Sequence, residues 1–153
     1  MTDEMVCFSL YSASRATTQA YRALFAPWGL TYPQYLVLAA LWIEGEQTIG
    51  PLGALMHLDS GTLSPLVRRL EQAGLVTRVR GEADERVVTV QLTARAQALR
   101  TEVAPIHSAV AEAAGLSDDE RRRELISELH DITERLQRLT AYLAAPATAD
   151  DTH

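Results

Sequence analysis

Cys7 is the single cysteine of this 153-residue sequence, and lysine is absent altogether. One cysteine cannot form an internal disulfide, which is typical of a reducing compartment and leaves open a reactive thiol or a bridge between subunits. Long apolar runs are also missing, since no stretch reaches the roughly 18 uninterrupted apolar residues of a membrane helix. The N-terminal stretch MTDEMV is acidic, whereas a secretory signal is basic. We therefore expect a cytoplasmic protein.

The four histidines are scattered without the spacing of metal ligands: His57, His107, His130 and His153. The sequence therefore predicts neither a metal site nor a cofactor. Apolar residues are plentiful, because 47% of the chain is hydrophobic, which is enough for the core of one domain with or without an appendage.

Basic charge is concentrated in one part of an acidic chain, whose net charge is −6. Residues 1–60 carry two arginines against five acidic residues, and residues 101–153 carry five against eleven. Residues 61–100 carry seven arginines against four acidic residues, a local charge of +3. Because the local field at a binding face sets the attraction to phosphate, this segment is a candidate DNA-binding module. The alternative is a set of solvated surface arginines.

Apolar residues recur at helical spacing through most of the chain. They predict four successive helices, which are bounded by Glu4 and Phe25, by Thr31 and Gly45, by Thr48 and Met56, and by Asp59 or Ser60 and Ala73. Gly74 is the expected glycine after the fourth helix. Pro65 is predicted near the first turn of that helix, where proline is tolerated.

The period changes from helical to twofold after Gly74. Residues 75–80 and 86–92 alternate apolar and polar side chains around the turn-forming GEAD, which predicts a β-hairpin. Thr93 is the predicted cap of a fifth helix that extends to about Ala114.

A sixth helix is predicted from Ser117, which lies at capping-box distance from Glu120. Its apolar residues are separated by 4, 3, 4, 3 and 4 positions: Leu125, Leu129, Ile132, Leu136, Leu139 and Leu143. A stripe of this length needs a partner helix, from the same chain or from a second copy.

A short helix, a turn, a second helix and a hairpin follow one another in the order of a winged helix-turn-helix. The predicted fold is mainly α with a small β-hairpin and with dimerisation helices at both ends. We assign residues 1–30 to an N-terminal dimerisation and sensor helix, 31–100 to the DNA-binding domain, 101–145 to C-terminal dimerisation helices and 146–153 to a disordered tail. The fourth helix is expected in the major groove, and the hairpin along the backbone or in a minor groove. The residues expected to meet DNA are Asp59, Ser60, Gly61, Thr62, Ser64, Pro65, Arg68, Arg69, Arg78, Arg80, Asp84 and Arg86.

Four strings carry a resemblance to a known family: LTYPQYLVLAALW (residues 30–42), LDSGTLSPLVRRLEQAGLVTRVR (58–80), DER (84–86) and LT (92–93). With them the sequence resembles the multiple-antibiotic-resistance regulator (MarR) family, and together with Cys7 it resembles the single-cysteine type of the organic hydroperoxide resistance branch. The similarity covers roughly residues 5–140. It implies that Asp84 holds the turn of the wing and orients Arg86. The sequence departs from the family at Val87, where a second arginine is frequent, so we expect the wing tip to make less contact with DNA.

The resemblance also implies how such a protein works. It would be a homodimeric repressor that binds an inverted repeat in double-stranded DNA and leaves it when an organic hydroperoxide oxidises a cysteine near the N-terminus. The phenols of Tyr21 and Tyr32 from the opposite protomer would hold the Cys7 thiolate, and Tyr11 would line the pocket.

Helical geometry places Cys7, Tyr11 and Tyr21 on one face of the first helix, within about 40° of a common line. Fourteen positions separate Cys7 from Tyr21, however, which is about 21 Å along a straight helix. A second subunit must therefore bring the phenol to the sulfur, as a twofold dimer can. The alternative for Tyr21 and Tyr32 is interface packing.

A thiolate rather than a thiol attacks the O–O bond of a peroxide, so donors that favour the charged sulfur would activate Cys7. Oxidation gives a sulfenic acid, and the chain has no second cysteine to react with it. Three end products stay open: a mixed disulfide with a small cellular thiol, which we favour, a bridge between two copies of Cys7, and overoxidation.

Other interpretations of the sequence also stay open. Cys7 can be a small buried hydrophobe. The chain can be a winged-helix regulator that responds to a non-covalent phenolic or aromatic ligand. A thiol peroxidase is the least favoured, because no resolving cysteine is present, and we expect no enzyme activity.

Overall fold

A computed structural model describes residues 5–81 and 87–144, and it has the mainly helical fold that the sequence predicts. The elements are α1 (Val6–Leu24), a 3-10 turn (Ala26–Trp28), α2 (Tyr32–Glu44), β1 (Gln47–Thr48), α3 (Ile49–Met56), α4 (Ser60–Gln72), β2 (Val76–Arg80), β3 (Val88–Leu92), α5 (Ala94–Ala113) and α6 (Asp119–Ala144). The chain divides into two units, residues 1–107 and 108–153. The predicted tail at 146–153 lies outside the described residues, as do Asp84 and Arg86 in the wing.

Local capping fixes where the central helices begin. The Thr31 hydroxyl accepts a hydrogen bond from the Gln34 backbone N–H, and the Gln34 side chain accepts from the Thr31 N–H, a complete capping box. At α4 the Asp59 carboxylate accepts from the Thr62 N–H at 2.9 Å. Thr48 precedes α3 as predicted but makes no side-chain capping bond. These caps set the register of the helix-turn-helix.

One element was missed, and two local predictions were wrong. No sequence pattern indicated β1, a two-residue strand that pairs with β3 and makes the hairpin a three-stranded antiparallel sheet in the order β1-β3-β2. The cap of α6 is Asp118, which accepts from the Arg121 N–H at 2.8 Å, and not Ser117, because α6 begins one residue later than the capping box requires. Pro65 is the sixth residue of α4 and so lies in its second turn. Its missing N–H leaves the carbonyl of Gly61 without the usual helical partner.

The core of the first unit is built around the helix-turn-helix. Leu41 of α2, Leu52 of α3 and Leu63 of α4 are almost fully buried, together with Val90 of β3. Gly53 permits the close turn between α3 and α4, since a Cβ atom there would lie 2.7 Å from the Leu58 carbonyl oxygen. This packing buries one face of α4 and leaves the opposite face exposed to solvent.

The first and last helices expose apolar side chains in the single chain. On α1, Val6, Phe8 and Tyr11 are 65%, 44% and 57% exposed. On α6, Leu136 and Leu139 of the predicted stripe are about half exposed, and α6 has no buried residue. Within residues 5–81 and 87–144, none of the helices has the length and apolar character needed to span a membrane.

Candidate DNA interface and redox site

The α4 helix separates a buried face from a polar one. Leu63, Val67 and Leu70 are fully buried on the inner face. The predicted DNA-facing residues of this helix lie outside that face: Ser60, Gly61, Thr62, Pro65, Arg68 and Arg69 are exposed, and Ser64 is partly buried. The outer face therefore combines small polar groups at the helix N-terminus with two guanidinium groups further along, an arrangement suited to phosphate and base edges.

Asp59 serves first as the cap of this helix. Its two carboxylate oxygens accept hydrogen bonds from the Thr62 N–H at 2.9 Å and from the Thr62 hydroxyl at 3.0 Å. These bonds, above all the one from the backbone, lower the pKa of Asp59 below its ordinary value. Asp59 is thus ionised near neutral pH and orients Thr62 at the start of the outer face.

Arg78 joins the hairpin to α4. Its Nε donates to Glu71 Oε2 at 2.8 Å, its Nη2 lies 2.6 Å from the same oxygen, and its backbone N–H donates to Glu71 Oε1 at 3.3 Å. The hydrogen bonds and charge of Arg78 lower the pKa of Glu71. Arg80, two residues on, is exposed and forms no ion pair within the described part of the chain. The two wing arginines therefore have different surroundings, although the sequence predicted the same role for both.

Arg95 is a structural residue that the sequence did not reveal. Its Nη1 donates to the Ala73 carbonyl oxygen at 2.9 Å, at the C-terminal end of α4. The adjacent Thr93 hydroxyl donates to the Gly74 carbonyl oxygen at 2.8 Å, and it also accepts from the Ala96 N–H as the predicted cap of α5. The start of α5 thus holds the end of α4 through bonds between residues about twenty positions apart, which no local pattern indicates.

Cys7 lies in the first turn of α1 and is exposed in the protomer. The interpretation of Cys7 as a buried core residue is therefore wrong for the single chain. Tyr11, one turn further on, accepts a hydrogen bond from Arg15 Nη1 at 3.1 Å, and the Arg15 guanidinium lies 5.7 Å from its ring centroid. Val6 and Phe8, on either side of the thiol in the sequence, are exposed as well.

Tyr21 and Tyr32, the two phenols expected to act together, do lie together. Their rings stack with centroids 4.3 Å apart and planes 10° from parallel. Phe25 stacks on Tyr21 at 5.3 Å, and Tyr35, which the sequence did not single out, lies 5.9 Å from it. Aromatic side chains three residues apart on α2 meet the end of α1, and only the tertiary structure brings these segments together.

Burial raises the pKa of these phenols, which are protonated at neutral pH even at the ordinary value of 10.0. Desolvation, followed by the neighbouring Tyr32 and Tyr35, raises the pKa of Tyr21 to about 12. Burial also raises the pKa of Tyr32 and of Tyr35. Each phenol therefore carries an O–H group at neutral pH and can donate a hydrogen bond to an anion. Cys7 lies at the other end of α1 from Tyr21, about 21 Å away along the helix axis.

A separate pocket lies between α2 and α5. Its volume is about 320 Å³, and its lining is mainly apolar but includes an arginine and a histidine. The lining residues are Tyr35, Ala39, Trp42, Ile43, Arg100, Val103, Ala104 and His107. Such a pocket has the size and chemistry for a small planar molecule.

Comparison with known proteins gives the family. A family model described as "Transcriptional regulator SarA/Rot" matches residues 19–103. The HTH-type transcriptional regulator TtmR of Methylorubrum extorquens (strain PA1) is 39% identical over 145 residues, which are 95% of this chain and 74% of TtmR.

Solved structures of other regulators are also similar to this chain. AbfR of Staphylococcus epidermidis is 34% identical with a TM-score of 0.75, over 87% of this chain and 91% of AbfR. AbfR is also known in reduced and overoxidised forms bound to DNA and in a disulfide form. A MarR family transcriptional regulator from Silicibacter pomeroyi is 27% identical with a TM-score of 0.71, over 87% and 90% of the two chains. The chain therefore belongs to the SarA/Rot family of DNA-binding transcriptional regulators, and its winged-helix fold is also that of a MarR family protein.

Proposed function

We propose that this chain is a homodimeric, cytoplasmic repressor of the organic hydroperoxide type, which senses organic hydroperoxides by oxidation of Cys7 and then releases an inverted-repeat operator. One observation carries the proposal. An exposed thiol lies at one end of α1, while two protonated, stacked phenols, Tyr21 and Tyr32, lie at the other end of the same helix. A second copy, packed on the exposed apolar faces of α1 and α6, brings the phenols of one protomer to the sulfur of the other.

The chemistry of the switch follows from these groups. Phenol O–H groups that donate to the sulfur favour its thiolate form. The thiolate attacks the terminal oxygen of the hydroperoxide, so that an S–O bond forms, the O–O bond breaks and an alcohol leaves after it takes up a proton. The resulting sulfenic acid condenses with a small cellular thiol, giving a mixed disulfide and water. The added group is bulky and separates Tyr21 and Tyr32 from the sulfur.

The AbfR structures support a redox role for this fold, since that relative exists in reduced, overoxidised and disulfide forms. In the present chain Cys7 has no second cysteine to pair with. A disulfide here must therefore include an external thiol or the Cys7 of the second copy.

DNA binding rests on α4 and on the hairpin. In a twofold dimer the two α4 helices enter successive major grooves, about one helical turn of DNA apart. A displacement of a few ångströms between the copies then prevents both helices from docking at once. In this proposal residues 1–30 carry the sensor, 31–100 bind DNA and 101–145 complete the dimer, and Asp84 and Arg86 are among the DNA-binding residues.

Replacing Cys7 with serine tests the redox step. A DNA fragment is first enriched from a random pool by the reduced protein, and its binding is then followed by fluorescence anisotropy during addition of cumene hydroperoxide. The wild type should release the fragment, and Cys7→Ser should bind it equally well and keep it. Tyr142→Phe, which removes an exposed phenol of α6, should behave as the wild type. Release of the Cys7→Ser protein by hydroperoxide would contradict the proposal.

The pocket between α2 and α5 favours a second candidate, a regulator that responds to a non-covalent aromatic ligand. Tyr35, Trp42 and Val103 offer apolar walls. Arg100 offers a positive charge and His107 a hydrogen-bonding ring for an acidic substituent. Release of DNA from the Cys7→Ser protein by an aromatic acid under reducing conditions, combined with no response of the wild type to hydroperoxide, would establish this function instead.

A further inference from the structure

We propose that Tyr21 and Tyr32 form a second oxidation site, at which alkoxyl radicals convert the stacked pair into an intrachain dityrosine that links α1 to α2. This site takes one-electron oxidants, whereas the proposed Cys7 reaction is a two-electron step. The inference does not depend on Cys7 or on the proposed function, because both reacting rings belong to one protomer.

The geometry of the pair carries the inference. A centroid separation of 4.3 Å with planes 10° from parallel brings the two rings into van der Waals contact over their faces. Tyr21 is 6% exposed, so its ring is held by its neighbours, and Tyr32 is only partly buried. Two short-lived radicals couple only if they meet before they decay. Two rings that are already in contact do not have to diffuse toward each other, which favours their coupling.

Neighbouring rings extend this contact to the surface. Tyr35 lies 5.9 Å from Tyr21, and Trp42 lies 6.1 Å from Tyr35 in an edge-on arrangement. A radical formed at the partly buried Trp42 or Tyr35 can therefore pass to the tyrosine pair by short electron and proton transfers. Tyr11 and Tyr142 have no ring contact with another tyrosine in the described part of the chain, so radicals formed there have no partner within the protomer.

The reaction balances with an organic hydroperoxide and ferrous iron as the source of oxidant. Ferrous iron reduces the hydroperoxide to an alkoxyl radical and hydroxide. Each of two alkoxyl radicals removes one hydrogen atom from a phenol, which gives two molecules of alcohol and two phenoxyl radicals. The two rings join through a carbon–carbon bond at the ortho positions, and the ortho hydrogens move to the oxygens as the rings become aromatic again. The product has two hydrogen atoms fewer than the two tyrosines.

The phenols begin this reaction in the required form. Tyr21 and Tyr32 are neutral phenols at working pH, and burial raises their pKa further, so each loses a hydrogen atom rather than an electron alone. The resulting link fixes the C-terminal end of α1 to the start of α2. Thiols do not reverse a carbon–carbon bond, so this modification is permanent, in contrast to a mixed disulfide at Cys7.

The experiment uses the full-length Cys7→Ser protein with tert-butyl hydroperoxide and ferrous iron, so that thiol oxidation plays no part. Trypsin cleaves after Arg15, Arg22 and Arg68, which places Tyr21 and Tyr32 on different peptides, residues 16–22 and 23–68. The expected products are dityrosine fluorescence and one linked peptide pair whose mass is the sum of the two less two hydrogens. Fragmentation should locate the link at Tyr32 and not at Tyr35.

Matched variants complete the test. Tyr21→Phe and Tyr32→Phe should each abolish the linked pair, and Tyr35→Phe and Tyr142→Phe should retain it. A link at Tyr35, a linked pair that persists in Tyr21→Phe, or dityrosine found solely between chains would overturn the inference. Because Cys7 is absent from this protein, these outcomes are independent of whether the wild type releases DNA on Cys7 oxidation.

Discussion

At the scale of single residues, Gly53 shows how little space separates α3 from the turn before α4. We expect Gly53→Ala to lower the free energy of unfolding by about 1–3 kcal/mol, because the new methyl group meets the Leu58 carbonyl oxygen, a backbone atom, at 2.7 Å. Chemical denaturation measures this change. Gly50→Ala is the matched control on the same helix, since no atom lies within 4 Å of its Cβ position, and it should be neutral or stabilising by up to about 1 kcal/mol. Equal losses in the two variants would contradict the prediction.

Tyr21 makes the stability of the protein sensitive to alkaline pH. Its pKa rises from 10.0 to about 12 on folding, so the folded state favours the neutral phenol. The stabilising contribution is complete below pH 10 and is lost as the pH rises toward 12. Tyr21→Phe should therefore lose less stability than the wild type over this interval, as measured by denaturation at a series of pH values. An identical pH profile for Tyr21→Phe and wild type would mean that the phenol is not buried in solution.

Residue roles that depend on neighbours in sequence could be predicted, and those that depend on distant neighbours could not. Asp59 and Gly74 follow from the local rules for helix ends, because a cap bonds within three or four residues. The bond from Arg95 to Ala73 and the presence of Tyr35 in the aromatic cluster join segments that are far apart in the chain. The pairing of Arg78 with Glu71 across seven positions was missed for the same reason.

At the scale of elements, the attachment of the hairpin to α4 distinguishes the two wing arginines. We expect Arg80→Gln to weaken DNA binding and to reduce the slope of log affinity against log salt by about 0.9, as for one lost phosphate contact. Arg78→Gln should weaken binding with little change in slope, because its guanidinium bonds to Glu71 and positions the wing. Titrations of one DNA fragment at several salt concentrations separate these effects. A reduced slope for Arg78→Gln with an unchanged slope for Arg80→Gln would reverse the assignment.

Element type was predictable wherever the periodicity was long. The six helices and the two hairpin strands each repeat their apolar pattern over several residues, which suffices to identify them. β1 has two residues and no repeat of its own, so its strand character comes entirely from pairing with β3. The start of α6 was misplaced by one residue because Ser117 and Asp118 are both good caps, and the choice between them depends on where the turn after α5 ends.

At the scale of the whole molecule, the basic segment and the exposed apolar side chains belong to different parts of the chain. The charge of +3 over residues 61–100 lies in a chain of net −6, so we expect the electrostatic attraction to DNA phosphate at the winged helix. The exposed apolar side chains belong instead to α1 and α6. Monomeric proteins rarely expose a continuous apolar stripe of this length, so the leucine stripe on α6 points to association between copies.

Leu136 is the residue through which this association can be tested. We expect Leu136→Glu to convert the proposed dimer to monomer. Burial of one leucine contributes about 1.5–3 kcal/mol, and a twofold interface contains this leucine from both copies. Ser127→Glu adds the same carboxylate at 180° to Leu136 around the helix and should leave the dimer intact. Sedimentation velocity measures both. A monomer contacts a single half-site, so Leu136→Glu should also bind the enriched DNA fragment far more weakly. If Leu136→Glu stays dimeric with unchanged DNA affinity, α6 is not part of the interface.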